Sequence, residues 1–248
     1  MNISGEGKNH VILVTAVIIS IALIVCSAIM AGAVKNYSGS KNTITVTGAA
    51  KKAITSDLIV WSGTFSAQSP QLSEAYSRLS QDLVKVKAYL MQKGVPENQI
   101  VASSINTMPI HRIAPNGMPT NEVEGYLLNQ SIEIKSDQVD KITDLSRSST
   151  ELINQGVQFQ SQPPQYFYTK LNDLKVDMLA EASKDARNRA EQLAQNSGGK
   201  IGALKSAKMG VFQITRLNST DVSDSGINDT STLEKEITAV VNVDFYVK

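Results

Sequence analysis

The stretch TSDLIVWSGTFSAQSPQLSEAYSRLSQDLVKVKAYLMQKG, residues 55–94, changes its hydrophobic period halfway along. Up to Gln68 it alternates, with Ile59, Trp61 and Phe65 on one face and Ser62, Thr64 and Ser66 on the other, as a half-buried strand requires. Beyond it, Ser69-Pro70 reads as an N-cap with proline at the first helical position. Leu72, Ala75, Leu79, Leu83, Val86 and Leu90 then recur every three or four residues, and Lys93-Gly94 closes the helix before Pro96.

On the amino side of this pair lies 44–48, ITVTG, β-branched and closed by a glycine, which predicts a strand and a hairpin turning at 48–52. On the carboxyl side, 100–113 and 123–134 read as strands joined at Asn116-Gly117, with Pro115 and Pro119 beside the turn. A second helix starts near Ser136 or Asp137, presents Val139, Ile142, Leu145 and Leu152, and stops at Gly156. Residues 157–168 are extended, and Pro163-Pro164 confines them to an edge or bulge. The longest helix spans 171–195 with an inward face of Leu174, Met178, Ala182, Ala186 and Leu193, and ends at Ser197-Gly198-Gly199. Strands at 203–217 and 233–248 flank a polar loop, and Ile237, Ala239, Val241, Val243, Phe245 and Val247 share one side of the last. The pattern is α+β: mainly antiparallel sheet, helices packed on one face, in a domain over 43–248 that divides by pattern into 43–135 and 136–248.

A different solvent governs the amino end. After a tail of ten residues, the run that opens at Val11 and closes at Val34 holds no charge, Asn, Gln or Pro. As a helix it is about 36 Å long, enough for a hydrocarbon core of about 30 Å, so it predicts one transmembrane helix, an anchor or an uncleaved signal. Ala31-Gly32-Ala33 supplies the small-x-small pattern of a cleavage site, while the run exceeds the usual apolar length of a signal peptide. Cys26 follows Val25 and reads as an ordinary thiol in an apolar helix. Residues 35–42, KNYSGSKN, read as a polar linker. Lys35, Lys41, Lys51 and Lys52 outnumber the cations before the run, which by count favours a cytoplasmic domain. Long domains translocate regardless of charge, so the side stays open.

Composition and motifs bear on chemistry. With 24 Lys or Arg against 23 Asp or Glu, the net charge of +1 argues against a nucleic-acid partner. Beyond the apolar run there is no cysteine and one histidine, His111, which excludes cysteine nucleophiles and Cys/His zinc sites. No Gly-x-Ser-x-Gly elbow occurs, and Ala194 stands where a phosphate loop ending at Lys200 needs its first glycine. Glu122 with Glu124, and Asp137 with Asp140, read as turn and helix-start acids. Asp221, Ser223, Ser225, Gly226 and Asp229 sit on a loose calcium-loop spacing, with Thr232 where the bidentate Glu belongs. The residues therefore predict no catalytic, cofactor or metal site and no enzyme.

ITVTG at 44–48, Leu90-x-x-x-Gly94-Val95, Gly125-Tyr126 with Asn129, Gly156 before Phe159, and AEASKDARNRAEQLA at 180–194 followed by a glycine pair together resemble the SIMPL-domain family of bacterial envelope proteins. The resemblance covers nearly all of 43–248, and the alanine-rich helix with Asp185, Ala186, Arg187, Ala190 and Glu191 is its most specific piece. It implies a domain on the periplasmic side of the bacterial inner membrane, association with oxidative-stress defence, self-assembly and no established catalytic centre. Met108, Ile110 and Met118 at the Asn-Gly turn, with Tyr166, Phe167 and Tyr168 after the prolines, are the candidate surface for a homo-oligomer. The leading expectation is a membrane-anchored scaffold. Two alternatives are a ligand binder or enzyme with a pocket between the sheet and the 171–195 helix, and an adaptor for another membrane protein through Thr15, Ser20 and Ser27.

Overall fold

In a computed structural model, which describes residues 6–39 and 42–248, the chain order is α1 (Glu6–Gly39), β1 (Thr43–Thr55), β2 (Leu58–Ser69), α2 (Leu72–Gln92), β3 (Ile100–Ala102), β4 (Asn106–Ile113), β5 (Pro119–Ser136), α3 (Val139–Ser148), β6 (Gln158–Ser161), β7 (Gln165–Phe167), α4 (Leu171–Asn196), β8 (Ile201–Met209), β9 (Gln213–Arg216), β10 (Ile227–Asn228) and β11 (Glu234–Val247). The fold is α+β with mostly antiparallel pairing. Within α1, Leu13–Ala31 has a mean hydropathy of 2.8 and no buried residue, so by length and composition this helix is able to cross a membrane. The expected linker is helical as far as Gly39, because Lys35-Asn36-Tyr37-Ser38 contains neither proline nor glycine to stop it. Residues 1–5 of the expected tail and residues 40–41 of the linker lie outside the described residues.

Two compact units interleave along the chain. One holds Lys51–Met178 and Val211–Ala239; the other holds the chain through Ala50, Leu179–Gly210 and Val240–Lys248. In the first, β2 and β5 form an antiparallel ladder from Ile59 opposite Ser136 to Ser69 opposite Tyr126, with β3 and β4 on the outer side of β5 and β6 and β7 on the outer side of β2. The odd-numbered face of β2 buries Ile59, Trp61 and Phe65 completely against Leu79, Val86 and Leu90 of α2 and Ile142 of α3. Burying each such side chain is worth about 1.5–3 kcal/mol. Phe159 of β6 lies over Gly63, where a Cβ would sit 2.1 Å from its ring, and tilts against Trp61 at 6.2 Å between centroids.

Several boundaries differ from the sequence reading, each for a local reason. Helix α2 starts two residues later than expected. Ser69 still ends β2, its hydroxyl accepting from the Gln71 N–H at 3.3 Å and donating to Glu74 at 2.6 Å, and Leu72 is 45% exposed instead of core. The 100–113 strand breaks after Ala102, where the Ser103 N–H donates to the Ser131 carbonyl and the Ser103 hydroxyl accepts the Ser131 N–H. The 203–217 strand breaks at 210–212, where the Gly210 N–H turns to the Val240 carbonyl. Helix α3 continues as a tighter turn over Ser149–Gln155 and ends on Gly156 at φ +79°.

The expected hairpin between β1 and β2 does not form. β1 runs through Gly48 to Thr55 and pairs with β11, whereas β2 pairs with β5, β6 and β7. Gly48 is not a turn residue: a Cβ there would lie 2.2 Å from the Ala182 carbonyl oxygen and 2.5 Å from the Ala186 nitrogen of α4. Small residues on both sides let backbone meet backbone. Ala182, Ala186, Ala190 and Ala194 form the buried stripe of α4, and Leu193, expected inside, is 52% exposed. Gly48→Val is expected to cost about 3 kcal/mol by overpacking, read as a lower urea midpoint; a loss under about 0.5 kcal/mol would show that this contact is loose.

Candidate functional site

The Asn-Gly turn closes well. The Ala114 N–H donates to the Met118 carbonyl at 2.9 Å, the Met118 N–H to the Asn116 side-chain oxygen at 3.1 Å, and Gly117 takes φ +82°. Around it, β4 and the start of β5 make an arm: β4 is exposed along nearly its whole length and β5 is exposed as far as Glu124. Met108 at 42%, Met118 at 63% and half-buried Ile110 lie on it, as the sequence reading placed them. Ile113 and Val123 add to the same exposed arm and were missed, since nothing in a strand's alternation tells which strands extend past their sheet. Arg112 pairs with Glu122 at 3.1 Å across the arm and the Thr120 hydroxyl donates to the Arg112 carbonyl, so the arm is tied along its length.

Tyr166, Phe167 and Tyr168 do not join this surface. β7 pairs with β2, two strands away from β4, and the alternation turns Tyr166 inward, where its hydroxyl meets Thr143 at 3.1 Å. Phe167 and Tyr168 are half-buried, and Thr169 clamps the segment by donating from its N–H and its hydroxyl to Asp57 at 2.7 and 2.8 Å. The buried Lys235 ammonium donates to the Tyr166 carbonyl at 2.6 Å. Burial pushes its pKa below the ordinary lysine value while the charge of Asp229 opposes that shift. Asp229, against its own burial, is held low by hydrogen bonds from Ser231 and Thr232. The loop read for a calcium spacing thus satisfies its groups internally, Ser223 with Ser225 and Ser219 with Asp221 included. Among the described residues no three His, Cys, Asp or Glu side chains group as metal ligands do.

At the root of the arm an open groove of about 830 Å³ is lined by Leu72, Tyr76, Ile105, Thr107, Tyr126 and Leu128. Tyr76 is 56% exposed, one turn after Leu72 on α2 and off the buried stripe. The sequence reading counted Leu72 in the core stripe and placed a pocket against the 171–195 helix instead; the i, i+4 pair Leu72 and Tyr76 is the signal it missed.

In the other unit, the alanine-rich segment of α4 is organised around Asp185. Its carboxylate accepts the Ala49 N–H at 2.9 Å and Arg189 Nε at 2.8 Å, next to the Gly48 contact. A family model described as SIMPL, protein of unknown function (DUF541), matches residues 44–245. The chain belongs to the SIMPL family. No curated protein matches it in sequence. The SIMPL match opens on the strand that carries Gly48 and takes in the helix that carries Asp185, and these two segments touch each other in space.

The Ala49 N–H, ahead of Arg189, holds the Asp185 pKa below the ordinary aspartate value. A depressed carboxylate stabilises the fold above its unfolded pKa and loses that contribution as pH falls through the folded one. Asp185→Asn is therefore expected to lower stability by about 1 kcal/mol at pH 7 and to flatten the loss of stability below about pH 4, followed by chemical denaturation at each pH. An unchanged acid limb would remove Asp185 from the account.

Proposed function

We propose that this SIMPL protein is a membrane-anchored, non-enzymatic scaffold of the bacterial envelope that assembles with copies of itself through the β4–β5 arm. The observation that carries the reading is the arm: Met108, Ile113, Met118 and Val123 keep 42–63% of their surface in solvent on a hydrogen-bonded, tied hairpin. Apolar side chains displayed on a rigid projection are what an interface uses. Anchoring rests on the apolar run of α1, and a shared membrane plane raises the local concentration of copies. The periplasmic side and the part in oxidative-stress defence rest on family resemblance alone.

A second reading, a binder of an apolar ligand, draws on the groove at Leu72, Tyr76 and Tyr126, not on a pocket against α4. The adaptor reading draws less support, because the Ser20 and Ser27 hydroxyls donate to the Ala16 and Ile24 carbonyls of their own helix.

The test is the mass of the detergent-extracted full chain by light scattering on a sizing column, beside Met118→Asp and Ile113→Asp. The expected result is a discrete multiple of 26.8 kDa that both charges on the arm reduce, with far-UV dichroism unchanged. A wild-type monomer, or an oligomer indifferent to both substitutions, would overturn self-assembly through the arm and move weight to the groove.

A further inference from the structure

The groove at the root of the β4–β5 arm and the turn at its tip match each other in chemistry. The groove has buried Leu128 as its floor, carries the rings of Tyr76 and Tyr126, and has no charged residue in its lining. Among the described residues the tyrosine hydroxyls that bond within the chain are those of Tyr89 and Tyr166, so Tyr76 and Tyr126 keep theirs for a partner. The tip, residues 113–121, IAPNGMPTN, is likewise uncharged, and the Arg112 and Glu122 that bracket it are paired with each other. Ile113 and Met118 stand 61% and 63% exposed on it. Pro115 and Pro119 have no N–H, which leaves the tip richer in backbone acceptors than in donors. Stiff, proline-bearing segments dock on aromatic-lined grooves, and tyrosine hydroxyls donate to their carbonyls.

A chain cannot fill its own groove with its own tip. Thr107 and Ile113 are six residues apart in one strand, about 20 Å at the rise of a strand. The ladder from Met108 opposite Leu127 to Ile110 opposite Gly125, with the Arg112–Glu122 pair beyond it, holds the arm extended. The tip that fits the groove therefore belongs to a second copy. The register shifts of the arm insert their extra residues in β5, so alternation along β4 keeps Thr107 and Ile113 on one face. Groove and tip thus occupy opposite ends of the same face. Two arms laid face to face and antiparallel about a two-fold axis put each tip at the other's groove, and the contact closes on itself. Residues 106–128 with Leu72 and Tyr76 bring roughly 25 residues a side to it, within the range of about 20–30 for a standard stable interface.

We infer that the arm tip of one copy, carrying Ile113 and Met118, seats reciprocally in the groove at Leu72, Tyr76 and Tyr126 of a second copy. The inference rests on the self-assembly reading and adds to it the site that receives the arm.

The experiment uses the detergent-extracted full chain in a Cys26→Ala background, with Ile113→Cys and Tyr76→Cys together, oxidised and run on a denaturing gel. Both positions are more than half exposed, so the core is untouched. The length of the arm keeps the two thiols of one copy beyond the Cα separation of about 7 Å that a disulfide tolerates. A covalent dimer is expected from the pair and none from either cysteine alone, because an antiparallel pairing separates like positions. In the cysteine-free chain, Tyr76→Asp is expected to raise the dissociation constant about tenfold or more. Mixing Tyr76→Asp with Met118→Asp should give tighter association than either alone, since one tip-and-groove contact of the two survives. A wild-type monomer overturns self-assembly and this inference together. A dimer from Ile113→Cys alone, or an assembly that Met118→Asp weakens and Tyr76→Asp does not, leaves assembly through the arm standing and overturns the groove as its receptor. A ladder of higher multiples from the cysteine pair overturns the reciprocal arrangement.

Discussion

Gly48 meets Ala182 and Ala186 at a distance that leaves no room for one more carbon, and the unit built on β1, β8, β11 and α4 depends on that contact. A helix packed this closely on a strand brings the next backbone amide, Ala49, within reach of a side chain one turn along the helix, and Asp185 takes it. The carboxylate is then fixed a second time by Arg189. Remove the glycine and the helix must move outward; once it moves, the Ala49 bond lengthens. Tight packing and the charged hydrogen bond are therefore one device, so the two contacts are expected to be energetically coupled.

The other unit is organised by a different constraint, the long β2–β5 ladder with Trp61, Phe65 and Ile59 sealed under α2 and α3. Because β5 is longer than β2, its first residues leave the ladder and find only β4, which carries them beyond any helix. What the core cannot cover stays apolar and exposed. The arm is in this sense a consequence of strand lengths. Nothing similar holds at β7, where Tyr166 is drawn into the core and Asp57 and Lys235 tie down what surrounds it.

Much of this was legible in the residues. The change of period at Ser69 marked β2 and α2, Gly94 and Gly156 marked helix ends, the alternation from Ile237 to Phe245 marked the buried face of β11, and Asn116-Gly117 marked the arm's turn. Where the reading failed, the deciding partner was far away in sequence. A glycine after a β-branched run looks the same whether it turns the chain or admits a helix, and the helix that decides for Gly48 begins more than a hundred residues later. Leu193 looked inward by spacing, yet the stripe that runs in steps of four from Ala182 through Ala186 passes through Ala190 and Ala194 and leaves Leu193 exposed. Tyr166 and Met118 were read alike as surface groups; pairing with β2 buries one and projection past the sheet exposes the other.

Native-state hydrogen exchange on the full chain tests the central constraint most directly. If the contact of Gly48 with Ala182 and Ala186 holds its unit together, the amides of Val46, Ala49, Ala186, Ala190 and Val243 open as one cooperative group with a shared free energy. If Val46 and Ala49 exchange rapidly while Ala186, Ala190 and Val243 stay protected, β1 is an accessory strand and the account is wrong at its base.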